Sequence, residues 1–477
     1  MTDFFNKTTG FGLASTLAKR YRRADPLIVS HKNRNINNPR MISREDLYDR
    51  ITGDEDARVC KDIPDKACND QPHNFFAYLG ANLLGKVADE IASAKLVIPW
   101  MFGLLGVPAV LTGFLVPIRE AGVLIPQLVV AAAVRHLPVR KGVWVLGAVL
   151  SGVSLLGMAW AALNLDGAAA GGTIIAMLVV FSLSRGICSV SAKDVLGKTI
   201  SKSRRGALMG WASSLSGVAI LGAGLWLSLS DPAGAGLQVF AALLLTGGVL
   251  WFVAAVVFYS IREQPGATEG GGNALTVAIG QLRLLVDDAP FRRYVIARSL
   301  LLTVALAPPF YVLVAQQQTT SGLLGLGVLI IANGLANMLS APFWGYLGDR
   351  SSRRVMVIAA LGAGILGVLT FVAVQLQWHW LTGETGIALI FLLLNVMHAG
   401  VRLGRKIYLV DMAGSDNRAA YVAVSNSIIG LMMLVGGLVG IVGDWFGAST
   451  VILVLGIGSL LAAGFIVRLD EVSEPAG

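Results

Sequence analysis

The stretch from residue 345 to residue 376 reads GYLGDRSSRRVMVIAALGAGILGVLTFVAVQL. Its first ten residues contain one acid, Asp349, and three arginines, whereas the next 22 residues contain no charged side chain. A helix of roughly 20 apolar residues spans the hydrocarbon core of a bilayer. This stretch therefore predicts a transmembrane helix that begins directly after a basic loop.

The composition extends this prediction to most of the chain. Of 477 residues, 55% are apolar or aromatic and 14% are charged, against roughly 25% charged residues in soluble proteins. The three cysteines are too few to staple a chain of this length. These values exclude a soluble enzyme, a disordered chain and a disulfide scaffold. They indicate an all-α polytopic membrane protein that is surrounded by the lipid bilayer.

Twelve apolar runs follow a polar extension, residues 1–73. Each run is long enough to cross a membrane as a helix. The first six are predicted at 80–103, 109–133, 142–163, 171–191, 206–227 and 236–258. The second six are predicted at 293–316, 322–346, 355–376, 384–404, 419–440 and 449–467.

An internal repeat supports these boundaries. A shift of 213 residues moves the first six runs close to the second six, and it places Arg140 on Arg353 and Lys193 on Lys406. Two sets of six helices that run in the same direction form a parallel repeat about an axis normal to the membrane. The predicted domains are listed in chain order: the extension 1–73, a six-helix bundle 74–261, a cytoplasmic linker with an amphipathic helix 262–292, a second six-helix bundle 293–468, and a cytoplasmic tail 469–477.

Basic residues predict which side each loop faces. Of the 38 Lys and Arg residues, 33 lie in the extension, in loops after even-numbered runs or in the tail, and five lie inside the runs. Cytoplasmic loops carry the excess of Lys and Arg. Both termini are therefore predicted in the cytoplasm, with the chain in a bacterial-type inner (plasma) membrane. This distribution accounts for the net charge of +9 without a nucleic-acid partner.

The loop at residues 345–354 resembles the G-x-x-x-D-R-x-G-R-R signature of the major facilitator superfamily, with Ser352 in place of a glycine. Together with twelve runs in a 6+6 repeat, the resemblance covers residues 80–467. It implies two helix bundles around a central cavity and transport by alternating access. The candidates for a cytoplasmic gate are Gly345, Asp349, Arg350, Arg353, Arg354, Arg402 and Arg405.

Asp349 is the carboxylate of this gate. Nearby arginines hold a carboxylate through charge-assisted hydrogen bonds, so a contact of Asp349 with Arg402 or Arg405 would latch one conformation. The alternative is that Arg350, Arg353 and Arg354 only fix the topology of the loop.

Charged and amide side chains inside the apolar runs mark a candidate binding site, because an ionisable group at membrane depth needs a partner or water. Asp89, Glu90 and Glu120 are the candidates for binding and releasing a proton. Candidates for contacting the substrate are Lys86, Arg119, Gln127, Arg185, Arg298, Asn333, Asn395 and His398. Lys86 shares a helix face with Asp89 and Glu90 and is expected to pair with them. The structural alternative is a charge cluster of these acids with Arg119 that joins the first two runs.

No cofactor and no metal site are expected. Residues 192–199, AKDVLGKT, match a relaxed phosphate-loop pattern, but they follow a predicted membrane helix instead of a strand. Cys60, Cys68 and His73 lack the spacing and the fourth ligand of a structural zinc site.

The sequence thus predicts a secondary active transporter and not an enzyme. It moves a small-molecule substrate and is coupled to protons by symport or antiport. Inside the runs five basic groups face three acids, which favours an anionic or zwitterionic solute. A uniporter, and a transporter-like receptor or scaffold that signals through residues 1–73, remain as alternatives. A monomer is expected.

Overall fold

The structure, a computed structural model, describes Tyr48 and residues 63–125, 130, 134, 136–229, 236–266, 282–318, 323–413 and 418–472. All of them belong to one compact unit, Tyr48–Gly477. Every regular element within these ranges is a helix. In a bilayer only a helix or a closed barrel satisfies all backbone hydrogen bonds, so the apolar composition and the helical structure agree.

Eight helices form the N-terminal group. They are α1 (Asp65–Asn69), α2 (Gln71–Ile91), α3 (Val97–Leu104), α4 (Ala109–Leu124), α5 (Lys141–Asn164), α6 (Gly167–Thr199), α7 (Lys202–Leu229) and α8 (Leu237–Tyr259).

The remaining helices form the C-terminal group. They are α9 (Leu284–Asp287), α10 (Ala289–Leu300), α11 (Leu302–Leu306), α12 (Pro308–Gln318), α13 (Leu323–Gly348), α14 (Ser352–Gln375), α15 (His379–Thr382), α16 (Glu384–Met412), α17 (Arg418–Gly436), a 3-10 turn (Gly437–Val439), α18 (Gly440–Phe446) and α19 (Ala448–Ile466).

In the described part of the chain, ten helical segments are long and apolar enough to cross a membrane, with α10–α12 and α17–α18 each counting as one. This finding confirms an all-α, multi-pass membrane protein. The first two predicted spans are not among the ten. The first is divided into α2 and α3, and the second, α4, is described over only 16 residues. The count of twelve spans therefore stays a prediction.

The predicted first span, 80–103, is wrong as a continuous helix. Helix α2 begins at Gln71, ends at Ile91 and is separated from α3 by residues 92–96. Pro99 in α3 explains this break, because a proline cannot donate to the carbonyl four residues earlier, that of Lys95, and its ring clashes with it. In the C-terminal group, α11 likewise ends just before Pro308 and Pro309. At this break residues 92–96 are not helical, and the Lys95 side chain is partly exposed.

Most of the predicted amphipathic helix in the linker, residues 275–288, lies outside the described residues. Its described end contains the short helix α9.

The two groups use the same packing plan. Helix α5 packs against α6 and α8, and α14 packs against α16 and α19. Glycines let these backbones approach closely: a Cβ on Gly367 in α14 would lie 2.9 Å from the Cα of Gly456 in α19. Gly152 and Gly248 have the same role between α5 and α8, where a Cβ on Gly248 would lie 3.2 Å from the Gly152 carbonyl.

The groups contact each other through α4 with α17–α18, α7 with α13, and α3 with α12. A Cβ on Gly440 in α18 would lie 2.5 Å from the Ala109 carbonyl in α4, and one on Gly327 would lie 2.7 Å from the Gly224 carbonyl. These positions lie at the helix ends that the sequence predicts to face outside. At the opposite ends of α7 and α13, a Cβ on Gly210 or Gly345 would have no neighbour within 4 Å. Among the described residues, the close glycine contacts between α7 and α13 therefore lie towards the predicted outer end.

Candidate functional site

A cavity of about 340 Å³ lies between the two groups of helices. Both groups contribute polar side chains to its wall. The N-terminal group contributes Asp89, Glu90, Ser93, Lys95, Arg119 and Glu120, and the C-terminal group contributes Asn333, Asn337, Asn395, His398 and Arg402. The structure therefore brings together eight of the site residues predicted from the sequence: Asp89, Glu90, Arg119, Glu120, Asn333, Asn395, His398 and Arg402.

Asp89 is the centre of an ion-pair cluster that joins three helices. Its Oδ2 atom lies 3.3 Å from Arg119 Nη2 on α4 and 2.9 Å from Arg185 Nη2 on α6. The Arg185 guanidinium also stacks on the ring of Trp251 in α8, 4.3 Å from its centroid. Two guanidinium groups share this carboxylate. The arrangement contains the Asp89–Arg119 contact of the predicted cluster and adds Arg185, but among the described residues it does not include Glu90. A cluster of this kind fixes α2 relative to α4 and α6.

Glu120 forms a looser contact. Its carboxylate lies 3.6 Å from Lys95 Nζ, and the two side chains are 44% and 30% exposed. Lys95 belongs to the segment between α2 and α3, so its backbone is not held in a helix. This pair is the most accessible carboxylate–ammonium contact in the cavity wall.

Glu90 and Asp89 point to different surroundings although they are adjacent. Side chains at neighbouring positions of a helix are about 100° apart, which directs Asp89 to the arginines and Glu90 to the cavity. No base lies within ion-pair distance of Glu90 among the residues that the structure describes. Glu90 is thus the acid of the wall that keeps no direct partner.

The C-terminal wall has a different character from the N-terminal one. It presents amides from Asn333, Asn337 and Asn395, the His398 imidazole and the Arg402 guanidinium. The carboxylates in the described cavity wall all come from the N-terminal group. One wall therefore carries acids together with bases, and the other carries hydrogen-bonding groups and a single positive charge.

A second, apolar pocket of about 40 Å³ adjoins the cavity. The two share Glu90, Leu96 and Asn333 in their walls. The rest of the pocket is formed by aliphatic side chains of α2, α3, α7, α8 and α13, including Ile91, Val97, Ile220, Leu227, Leu243 and Ile330.

Several predicted residues lie elsewhere. The expected pairing of Lys86 with Asp89 or Glu90 is wrong, because Lys86 Nζ donates to Ser213 Oγ on α7 over 2.7 Å. Arg298 is 7% exposed and donates to Ser425 Oγ and Asn426 Oδ1 on α17, away from the cavity. Arg185 lies behind Asp89, outside the wall. Gln127 falls outside the described residues.

Lys95 is the residue that the sequence reasoning left out. Lys95 is one of the five basic residues inside the predicted runs. A continuous helix over 80–103 gives no reason to place it in the site. Pro99, four residues later, is the signal that could have revealed a break at this position.

The gate residues are not assembled as a latch in this conformation. Asp349 is exposed, and neither Arg402 nor Arg405 forms an ion pair with it in the described part of the chain. Arg402 lies in the cavity wall instead. Arg353 is held within its own group, 3.4 Å from Glu471 and 2.7 Å from the Leu469 carbonyl. Within the described residues, the lack of an ion pair between Asp349 and these arginines agrees with the open space beside Gly210 and Gly345 at this end of α7 and α13.

At the other end, Asp444 connects the two groups. This residue of α18 accepts hydrogen bonds from the backbone N–H groups of Ala109 and Val110, which begin α4. A carboxylate at a helix N-terminus binds unsatisfied N–H groups and the positive end of the helix dipole. Asp444 therefore helps the glycine contacts to close the predicted outer end of the cavity.

Comparisons with known proteins agree with this architecture. The sequence model described as Major Facilitator Superfamily matches residues 299–477. An uncharacterized MFS-type transporter of Methanocaldococcus jannaschii is 21% identical over 206 residues, which are 42% of this chain and 48% of that protein. The chain thus matches about half the length of this relative.

Solved structures of similar fold cover most of the chain. A D-xylose–proton symporter matches 84% of this chain and 99% of its own, with a TM-score of 0.61 and 15% identity. A POT family transporter in complex with 5-aminolevulinic acid matches 86% and 98%, with a TM-score of 0.67 and 11% identity. The nucleoside transporter NupG matches 82% and 99%, with a TM-score of 0.61 and 13% identity. At these identities the likeness shows the fold.

Proposed function

We propose that the protein moves a small solute by proton-coupled alternating access. Two comparisons support this proposal: residues 299–477 match the model of the major facilitator superfamily, a family of membrane transporters and not of enzymes, and solved transporters share the fold over most of the chain. Twelve spans in two six-helix bundles, with both termini in the cytoplasm, complete the proposal. The observation that carries it is the polar cavity between two groups of helices whose predicted outer ends are joined by Asp444 and by close glycine contacts.

The proposed cycle uses the contacts at the two ends in turn. In the present conformation Asp444 and the glycine contacts close the predicted outer end, and Asp349 is free of its expected partners. Rocking of the two groups would separate Asp444 from α4 and bring Asp349 towards the arginines of α16. The solute then reaches the same cavity from the other side of the membrane.

Glu120 is the proposed proton carrier. Such a carboxylate must alternate between a charged, paired state and a protonated, unpaired state, and Glu120 meets Lys95 in a single accessible contact. Asp89 is a poorer candidate, since two arginines would be left without their partner whenever it took up a proton.

Exchange of labelled solutes in proteoliposomes tests transport through this cavity. The variant Asn333→Trp places a large ring in the cavity wall and is expected to abolish exchange of every solute that the native chain moves. The matched control Leu339→Trp lies on the same helix, at a 53% exposed position outside the wall, and is expected to retain exchange. Equal exchange by the two folded variants would rule out a pathway through the cavity.

A further inference from the structure

Some of the charged side chains in the cavity wall already form ion pairs with other residues of the protein, and others do not. Arg119 and Arg185 both pair with Asp89, and Lys95 pairs with Glu120. Glu90 in the N-terminal wall and Arg402 in the C-terminal wall remain, and neither has an ion-pair partner within the described residues. The cavity is therefore left with one negative and one positive site on opposite walls.

From this charge pattern we infer that the substrate is a zwitterion of the α-amino acid type with a small apolar side group. Its ammonium group binds Glu90 and its carboxylate binds Arg402, with His398 and the wall asparagines as further hydrogen-bonding groups. A solute bound in this way contacts both groups of helices at once. The inference rests on the proposed transport function and names its substrate class.

The apolar pocket supplies the place for the side group. It opens beside Glu90, so an ammonium group at Glu90 directs the neighbouring carbon substituent towards aliphatic side chains such as Ile220 and Leu243. By the same measure of volume, about 10–15 Å³ holds one water-sized group, so 40 Å³ accepts about three. An isopropyl group fits this space, whereas an indole ring does not.

The charge pattern also disfavours other solute classes. A neutral sugar would displace water from the partly buried Glu90 without offering it a counter-charge, and burying an unpaired charge is costly. A simple anion would satisfy Arg402 but approach Glu90 with like charge. A zwitterion satisfies both charges without a second ion.

A matched set of three ligands tests the inference on the purified full-length chain. L-valine carries both charges, isovalerate lacks the ammonium group and isobutylamine lacks the carboxylate, while all three keep the isopropyl group. Binding is measured by the ligand-dependent rise in melting temperature, which requires no transport. We expect L-valine to bind at least about tenfold more tightly than either analogue, because a hydrogen bond to a charged group contributes at least that factor.

Two variants assign the charges to residues. Glu90→Gln is expected to weaken L-valine binding about tenfold and to leave isovalerate unchanged, whereas Arg402→Gln weakens L-valine and isovalerate and leaves isobutylamine unchanged. Arg402→Lys restores part of the affinity, which a structural role would not produce. The controls Asp287→Asn and Lys406→Gln remove exposed charges outside the cavity wall and are expected to bind like the native chain.

Different results contradict the zwitterionic substrate and the proposed transport function. Equal affinity for L-valine and its single-charge analogues, or preference for a neutral solute such as D-xylose, overturns the zwitterion inference and leaves transport intact. If glycine, alanine, valine and leucine all fail to bind while exchange of another solute proceeds, the same conclusion holds. Absence of exchange for every class of solute, by protein that is folded and inserted, overturns both.

Discussion

At the scale of single residues, the Asp89 cluster has the largest expected effect on stability. One carboxylate with two arginines at membrane depth holds three helices together, and its loss leaves two guanidinium groups without a counter-charge. We predict that Asp89→Asn lowers the free energy of unfolding by about 3 kcal/mol, at the lower end of the range for breaking a buried pair because these side chains are about one-fifth exposed.

Thermal unfolding of the purified protein checks this prediction. Asp287→Asn, at an exposed position outside the helix bundle core, serves as the control and should melt with the native chain. A melting temperature of Asp89→Asn that equals the control value would show that the cluster does not hold the helices together.

The same residues show what the sequence could and could not predict. The pairing of Asp89 with Arg119 was foreseen as an alternative, because two consecutive spans pack side by side. The sequence predicts Arg185 only as a contact of the substrate, since its approach to Asp89 depends on how α6 packs against α2, over 96 residues of sequence. Lys86 shares a helix face with Asp89, but its ammonium group donates a hydrogen bond to the Ser213 hydroxyl on α7 instead.

At the scale of helices, Asp444 and α4 form the contact that closes one end of the cavity. Two hydrogen bonds from backbone N–H groups to a carboxylate contribute roughly 1–3 kcal/mol, and they exist only while the ends are together. We predict that Asp444→Asn shifts the population towards the conformation open at that end. A cysteine in the cavity, at Asn333, should then react faster with an impermeant thiol reagent added from the outside.

Asp166→Asn is the control for this measurement, because Asp166 is another acid at the predicted outer end and no hydrogen bond of its side chain to α4 is present in the described residues. Unchanged labelling of the cavity cysteine in Asp444→Asn would show that this cap does not govern closure.

Asp349 at the opposite end gives a prediction of opposite sign. Its latch would form only when that end closes, so Asp349→Asn should disfavour the outward-open conformation by roughly 1–3 kcal/mol and slow labelling of the same cavity cysteine from outside. Because Asp349 is exposed here, its replacement should not change the melting temperature of the present conformation. Faster labelling, or none of the expected slowing, would contradict the latch.

The helices also show where sequence patterns stop being informative. The predicted fourth and tenth spans, 171–191 and 384–404, follow the apolar runs, but α6 and α16 continue to Thr199 and Met412. Hydropathy marks where the membrane ends, whereas a helix continues in water when polar side chains support it. In α6 this support includes the pair Asp194–Lys198, four residues apart and 2.7 Å between charged atoms.

At the scale of the whole molecule, composition predicts a polytopic helical membrane protein, and the fold agrees. The relation between the two groups could not be read from the sequence, because it depends on close glycine contacts between helices that are hundreds of residues apart, such as Gly440 with Ala109. A similar distance in sequence separates Glu90 from Arg402. The cavity is therefore a property of the assembled groups and of neither one alone.

The most direct test of proton-coupled alternating access is accumulation of a labelled exchange substrate by proteoliposomes under an imposed pH gradient. The native chain should accumulate the substrate above its external concentration, and a protonophore should abolish this accumulation. Glu120→Gln should still exchange the substrate but should not accumulate it. Accumulation by Glu120→Gln in proportion to the gradient, or native flux that ignores the gradient, would contradict the account.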